Sequence, residues 1–193
     1  MFLLNNILLR PVDLSDGDQM YQWHQDIELE IYSSWGPRQS RTTYDTKFRK
    51  FLEEPPNDLV VFAIEAYEQL VGRIELYTIN RSDRNAGIGL LIGDKSKWGS
   101  GIGSLATQIM LDYAFNIENL EKVYAHVYSF NSRAIRLMRR VGMVEEGILR
   151  KHEYHNGQLR DVYAFGILKP EFYQRYTSLF AIPGSDTATA SGA

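Results

Sequence analysis

Three alternating glycines directly before a helix restrict the fold of this chain more than any other feature of its sequence. In the segment WGSGIGS the glycines are Gly99, Gly101 and Gly103, and apolar residues then recur at helical spacing. Glycine permits positive φ and lets another group approach the main chain. The first amides of a helix have no intrahelical partner and carry partial positive charge, which favours a phosphate. The predicted phosphate-binding residues are Gly99, Ser100, Gly101, Ile102, Gly103 and Ser104.

Other interpretations of these glycines fit less well. Gly101, Gly103 and Ala106 match the dinucleotide fingerprint GxGxxA in letters. That fingerprint needs a strand running directly into the glycines and an acid at the far end of the next strand. Here the charged hexapeptide GDKSKW intervenes, and Glu121 lies at the wrong end of KVYAHVY. A P-loop is excluded because no Gly-Lys-Ser/Thr follows, and a flexible loop without a ligand is the plain alternative.

The remaining patterns predict a mixed α/β fold. A strand is expected at ILLRPV, a short helix near Asp18–Gln25, and a helix that begins at Ser40 and ends before Pro55. Three β runs separated by short polar turns predict an antiparallel meander: DLVVFAIEA, LVGRIELYTI and AGIGLLI. After the glycine segment come a strand, a helix starting near Asn131, and a hairpin that turns at Asn156. We therefore expect a central, mostly antiparallel mixed sheet with helices on both faces.

Length and composition favour one globular domain. The chain has 193 residues, of which 44% are hydrophobic and 23% charged. We expect a single domain over residues 1–180 and a disordered tail over 181–193, which is rich in small and polar residues. The net charge of −3 offers no positive field for nucleic acid or an anionic membrane. We expect a cytoplasmic protein, without a metal site, for which a homodimer is a compatible assembly.

Two segments resemble the GNAT superfamily of acetyl-CoA-dependent N-acetyltransferases. WGSGIGSLA resembles its pyrophosphate loop, and NSRAIRLMRRVGM resembles the downstream pattern Asn-x-x-Ala-x-x-x-Tyr-x-x-x-Gly-Phe. EEGILRKHEYHNGQLRDVYAF resembles the branch that holds ribosomal-protein N-terminal acetyltransferases and spermidine acetyltransferases. The resemblance implies direct transfer of an acetyl group, in a ternary complex, from acetyl-CoA to a primary amine. That amine is a protein N-terminus or a small molecule such as a polyamine.

The resemblance also implies where acetyl-CoA binds. The sheet is expected to splay between AGIGLLI and KVYAHVY, with the pantetheine arm pairing with the edge of the first of these strands. Trp98 stands where most members have Gln or Arg, and Asn131 matches a pantetheine-contacting asparagine or is a plain helix cap. The other implied cofactor-binding residues are Leu91, Ile92, Gly93 and Arg136. Arg133, Arg139 and Arg140 lie nearby on the same helix, where solvation is the plain alternative.

The catalytic residues are less sharply indicated. Met138 stands where many members have a tyrosine that protonates the leaving thiolate, and a thioether cannot donate a proton. Tyr128 and Tyr163 are candidate proton donors, with core packing as the alternative. Glu75 is the candidate base because it lies on a central strand and resembles a glutamate of polyamine-acetylating relatives; a solvated strand face is its alternative.

Four residues are candidates for contact with the acceptor. Glu28 and Glu30 precede the second predicted helix and could select a cationic amine, as could Asp161 on the final hairpin. Trp35 could line the acceptor cleft or pack in the core. Two further functions stay open at this point: a non-catalytic CoA-binding domain with a regulatory role, and a dinucleotide oxidoreductase.

Overall fold

The computed structural model describes residues 1–33 and 39–180. Its eight strands are β1 (Phe2–Leu4), β2 (Ile7–Pro11), β3 (Val60–Ala66), β4 (Gln69–Asn80), β5 (Asn85–Ile92), β6 (Lys122–Tyr128), β7 (Val144–His155) and β8 (Gln158–Leu168). Its α-helices are α1 (Gly17–Gln25), α2 (Ile27–Tyr32), α3 (Arg41–Glu53), α4 (Ile102–Asn116), α5 (Ser132–Val141) and α6 (Lys169–Tyr173). Within these described ranges, none of the helices combines the length and hydropathy needed to span a bilayer. Trp35 and the predicted tail 181–193 lie outside the described residues.

The strands form one sheet that parts near its middle. Their spatial order is β1-β2-β3-β4-β5-β6-β8-β7, and every neighbouring pair is antiparallel except β5 and β6. The parallel pair is in register over only three residue pairs, from Asn85 opposite Lys122 to Gly87 opposite Tyr124. Beyond Gly87 the two strands diverge. The predicted mixed, mostly antiparallel sheet with a splayed centre is therefore confirmed.

Helices cover both faces of the sheet because side chains alternate along each strand. On β3, Phe62 and Ile64 lie in the large core beneath α4, α5 and α6. Ala63, between them, belongs to a smaller cluster on the opposite face with Trp23 of α1 and Leu29 of α2. The expected arrangement, with helices on both faces, is confirmed. The sheet is thus buried on both sides around the place where β5 and β6 separate.

Turns and caps lie where the sequence signals them, with two additions. Ser40 caps α3 by accepting a hydrogen bond from Thr43 N, and Gly142 ends α5 with φ 97°. Asn5 and Asn6, for which no turn was predicted, both take positive φ and turn β1 back onto β2. Helix α2, which the patterns did not predict, is capped by Asp26.

Asp112 anchors the segment after α6 to helix α4. Asp112 is only 1% exposed. Its carboxylate accepts hydrogen bonds from Asn116 Nδ2 (2.7 Å), Tyr173 OH (2.9 Å) and Ser178 Oγ (3.3 Å). The main-chain amide of Leu179 is a further donor. Burial and the hydrogen bond to Asp112 raise the pKa of Tyr173. This one carboxylate therefore satisfies polar groups from three parts of the chain.

Replacing Asp112 with alanine should lower the free energy of unfolding by about 3 kcal/mol, because several partly buried hydrogen bonds lose their charged acceptor. In a chain of this size that loss corresponds to a fall in Tm of about 6–12 °C. Thermal denaturation followed by circular dichroism measures the shift. The exposed Asp58 provides a matched control, and Asp58→Ala should leave Tm nearly unchanged. Equal Tm values for Asp112→Ala and the parent chain would contradict the anchoring role.

Candidate active site

A continuous cleft runs through the gap between β5 and β6. It consists of two adjoining cavities of about 470 and 440 Å³. Both are lined by Tyr32, Ser33, Leu90, Leu91, Asn131, Ala134 and Leu137. We call the smaller cavity the glycine end, because Gly99, Gly101 and Gly103 line it. We call the larger one the carboxylate end, because Glu75 and Glu153 line it.

At the glycine end, the main chain is exposed at the start of α4. Gly99 and Gly101 have φ of 80° and 91°, and a Cβ built on either would have no heavy atom within 4 Å. The first α4 amides with a main-chain partner are those of Ser104 and Leu105, and both donate to Gly101 O. The amides of residues 101–103 precede them and are available to a ligand. A side chain at Gly99 or Gly101 would occupy the space where that ligand must lie.

Cationic side chains surround these amides. Lys97, Arg133, Arg136 and Arg140 all line the glycine end, and among the described lining residues no carboxylate accompanies them. The Arg133 guanidinium lies over the Trp98 ring, 3.7 Å from its centroid. A helix N-terminus together with several cations suits a ligand with more than one negative charge. The residues present therefore fit a diphosphate group.

Gly103 serves a different purpose from the other two glycines. It lies inside the first turn of α4, where a Cβ would approach Leu137 Cδ1 at 2.9 Å and Leu90 Cδ2 at 3.2 Å. Its missing side chain thus lets α4 pack closely against α5 and β5. A larger residue at Gly103 would therefore disturb this packing as well as the glycine end. Ser100 also contributes within the loop, since its hydroxyl donates to Lys97 O at 2.6 Å.

The edge of β5 faces the cleft beyond the point where β6 departs. Gly93 N donates to Val71 O of β4 at 2.9 Å. Main-chain groups alternate in direction along a strand, so those of Ile92 point the opposite way, into the gap. Trp98 Nε1 accordingly donates to Ile92 O at 2.8 Å. Gly93 itself is covered by Trp23, because a Cβ there would lie 2.1 Å from the indole ring.

At the carboxylate end, two glycines of β5 make room for side chains of β4. A Cβ on Gly89 would lie 2.9 Å from Glu75 Oε1, and a Cβ on Gly87 would lie 2.4 Å from the ring of Tyr77. The carboxylate and the phenol can therefore lie across β5, beside the gap. This arrangement was not predicted, although two glycines two positions apart inside AGIGLLI are a signal for close approach of another group.

The charge at this end is negative. The Glu75 side chain is 22% exposed, with Arg73 Nη2 3.4 Å from Oε2, and Glu153 of β7 lines the same cavity. Burial, with smaller effects from Tyr124 and the two glutamates, raises the pKa of Tyr77 to about 12. Tyr77 is therefore a neutral hydrogen-bond donor over the whole physiological range. Because the glycine end is cationic, the cleft has opposite charge at its two ends.

Comparison with known proteins assigns this chain to a family. A family model described as an acetyltransferase (GNAT) domain matches residues 6–144. The chain belongs to the GNAT family of acetyltransferases. It is accordingly an acetyl-CoA-dependent N-acetyltransferase, and its mixed, splayed sheet is the GNAT fold.

Relatives and solved structures agree with this assignment. The chain is 31% identical over 170 residues to the uncharacterized N-acetyltransferase p20 of Bacillus licheniformis, covering 86% of this chain and 94% of the relative. It is 31% identical over 165 residues to the spermidine N(1)-acetyltransferase of Vibrio cholerae, covering 84% and 94%. A crystal structure of the spermidine N-acetyltransferase from Vibrio cholerae with CoA and spermine superposes with a TM-score of 0.80. That structure is 27% identical and covers 88% of this chain and 99% of its own.

In this GNAT domain the candidate proton donor, Tyr128, lies at the carboxylate end of the cleft. Tyr128 and Met138, which are 9% and 6% exposed, both line the carboxylate end. The Tyr128 ring stacks on Phe130 with 5.1 Å between centroids. Tyr163 packs instead against the large core on the other face of the sheet. Asn131 caps α5 by accepting from Ala134 N at 3.1 Å and lines both ends, so both sequence-based interpretations of it are compatible with its position.

The three predicted acceptor residues that the structure describes do not line the two cavities of the cleft. Glu28 pairs with Lys95 Nζ at 3.1 Å, an ion pair that ties α2 to the loop before the glycines. Glu30 is a half-buried residue of the same helix, outside the two described cavities of the cleft. Asp161 accepts from Lys151 N at 2.7 Å, where β7 is out of register with β8, and it lines a separate surface cavity. Glu28 and Asp161 thus have structural partners, and contact of these three carboxylates with the acceptor stays a prediction.

Proposed function

We propose that this enzyme binds the diphosphate of acetyl-CoA at the glycine end and deprotonates its amine acceptor with Glu75 at the carboxylate end. The observation that carries this proposal is the opposite charge of the two ends of one continuous cleft. An anionic co-substrate and a cationic ammonium are each attracted to a different end. The reacting groups then meet between β5 and β6.

The main chain would hold most of the co-substrate. Amides at the start of α4 would bind the diphosphate, with Arg136 and its cationic neighbours around them. The edge of β5 at Leu90–Ile92, which β6 does not cover, would pair with the amides of the pantetheine arm, and Asn131 lines the same part of the cleft. Acetyl-CoA supplies an acetyl thioester whose carbonyl carbon is the electrophile. Holding both partners in one cleft accounts for a large part of the rate enhancement.

Two side chains would move the protons. Glu75 accepts a proton from the acceptor ammonium, directly or through a water, and the freed nitrogen lone pair forms the new C–N bond. As the C–S bond breaks, Tyr128 donates its hydroxyl proton to the departing sulfur. The nitrogen loses its second proton to water as the amide forms, and water returns a proton to Tyr128. Met138 cannot take this role because a thioether has no proton to give. The second carboxylate, Glu153, would help to attract the ammonium.

The test is amine-dependent release of free thiol from acetyl-CoA, measured with a thiol reagent across peptides, polyamines and simple amines. We expect release that saturates in both substrates, and binding of acetyl-CoA but not of NAD by calorimetry. Tight binding of acetyl-CoA with no amine-dependent thiol release would instead support the non-catalytic CoA-binding alternative.

A further inference from the structure

A third cavity lies next to the carboxylate end, on the same face of the sheet. Its volume is about 320 Å³, within the usual range of small-molecule sites of about 300–1,000 Å³. Strands β3 and β4 form its floor, and helices α1 and α3 form its walls. Arg73 and Glu75 line both this cavity and the cleft. We call it the side cavity.

Glu75 is the link between the two spaces. On one side it lies opposite Gly89 of β5, whose missing Cβ opens the way to the cleft. On the other side it lies opposite Val61 of β3, which lines the side cavity. An acceptor whose nitrogen lies at Glu75 can therefore extend in only one of two directions within these spaces: along the cleft or over β3 into the side cavity.

The walls of the side cavity are mainly apolar and aromatic. Met20, Tyr44, Phe48 and Phe51 line it together with Val61. The rings of Tyr44 and Phe48 are stacked, with 5.7 Å between centroids and 12° between planes. Burial raises the pKa of Tyr44 to about 12, so its phenol is neutral. Such a surface favours an alkyl or aromatic group over water.

The charges of the side cavity disfavour a second ammonium. Its described lining includes two cationic side chains, Lys47 and Arg73, and Glu75 is the one carboxylate among the described lining residues. Glu75 is already engaged by the reacting amine in the proposed function. A second ammonium on the same acceptor would lie among apolar walls beside like charges, which is unfavourable.

We infer that the acceptor is a primary amine with an apolar alkyl or aryl substituent, and that this substituent lies in the side cavity while the nitrogen lies at Glu75. The inference rests on the proposed function, since it takes Glu75 as the point where the amine reacts. Two sources share this chemistry: a free alkyl- or arylalkylamine, and a peptide whose first residue has an apolar side chain.

The test uses linear primary amines from methylamine to hexylamine, with phenethylamine, spermidine and two matched tripeptides that begin with Phe or Ser. Thiol release gives kcat/KM for each. Because the linear amines have nearly equal basicity, differences in kcat/KM among them report contact between the protein and the alkyl substituent. We expect kcat/KM to rise about fourfold for each methylene that is buried, and hexylamine and phenethylamine to exceed spermidine. A higher kcat/KM for the Phe peptide than for phenethylamine would identify a peptide as the acceptor. A higher kcat/KM for phenethylamine would identify a free amine.

Two adjacent residues of α3 provide a matched pair of variants. Phe51 lines the side cavity, whereas its half-buried neighbour Leu52 does not. Phe51→Ala should lower kcat/KM for hexylamine and phenethylamine about tenfold, and the kcat/KM for methylamine, which is too short to reach Phe51, should stay the same. Leu52→Ala should leave kcat/KM for all three amines unchanged. Phe51→Glu should shift the preference towards diamines.

The outcomes separate the two proposals. Two results would overturn the inference of an apolar acceptor while the proposed function stands: amines are acetylated but kcat/KM does not rise with chain length, or kcat/KM for spermidine exceeds that for hexylamine and phenethylamine. Equal effects of Phe51→Ala and Leu52→Ala on phenethylamine would also overturn it. Absence of thiol release with every amine would overturn the proposed function and, with it, this inference.

Discussion

Replacing Gly101 with valine should weaken the binding of CoA by about 100-fold to 1,000-fold. Gly101 has φ 91°, a conformation that costs a β-branched residue about 1–2 kcal/mol. The new side chain would also occupy the open space above the residue, where no heavy atom lies within 4 Å. Each charge-assisted hydrogen bond between an amide and a phosphate that is lost reduces the binding free energy by about 1.5–3 kcal/mol. Isothermal titration with CoA measures the change in Kd.

Gly157 gives a matched control for this experiment. It too has positive φ (78°) and open space around its missing Cβ, but it lies in the turn between β7 and β8. Gly157→Val should therefore cause a similar backbone strain and lower Tm without changing the Kd for CoA. If Gly101→Val binds CoA as tightly as the parent enzyme, the amides at the start of α4 do not hold the diphosphate.

Replacing Glu75 with glutamine should lower kcat by about 100-fold or more, which is the usual contribution of a general base. The amide keeps the size of the side chain but cannot accept the ammonium proton. The Kd for acetyl-CoA should stay within a factor of two, because Glu75 lies at the other end of the cleft from the glycines. The deficit should narrow at high pH, since more of the acceptor amine is then unprotonated in solution. Steady-state kinetics against pH tests both parts.

Glu65 provides the corresponding control. It lies on neighbouring β3 with a side-chain exposure of 25%, close to that of Glu75, and it pairs with Arg10 at 2.8 Å. Glu65→Gln should reduce stability slightly and leave kcat unchanged. A Glu75→Gln enzyme with parental kcat at neutral pH, or with a deficit that is the same at every pH, would exclude Glu75 as the base.

Much of the fold could be predicted because its signals are local. The caps at Ser40 and Asn131, the left-handed end at Gly142 and the turn at Asn156 each depend on residues a few positions apart. The glycine segment was also a local signal, and it marked the start of α4 correctly. The divergence of β5 from β6 was expected from the family resemblance alone, because pairing between distant strands leaves no local pattern.

The acceptor side of the site could not be predicted in the same way. Glu75 reaches the cleft because Gly89, on another strand, lacks a side chain. Glu153 lies in the cleft because β7 is out of register with β8 between Leu149 and Glu153. Glu28 is tied to Lys95, 67 residues away along the chain. Each of these outcomes depends on tertiary contacts, so residue type and spacing alone could not separate ligand-facing carboxylates from structural ones.

The two ends of the cleft differ in what they are made of. Peptide amides and a strand edge form much of the glycine end, and amino-acid replacements elsewhere leave such groups in place as long as the chain keeps its path. Side chains of β4, β7, α1 and α3 form much of the carboxylate end and the side cavity, and these can be exchanged one at a time. Chains that share only about three residues in ten can therefore retain one acyl donor while their preferred nucleophiles drift apart.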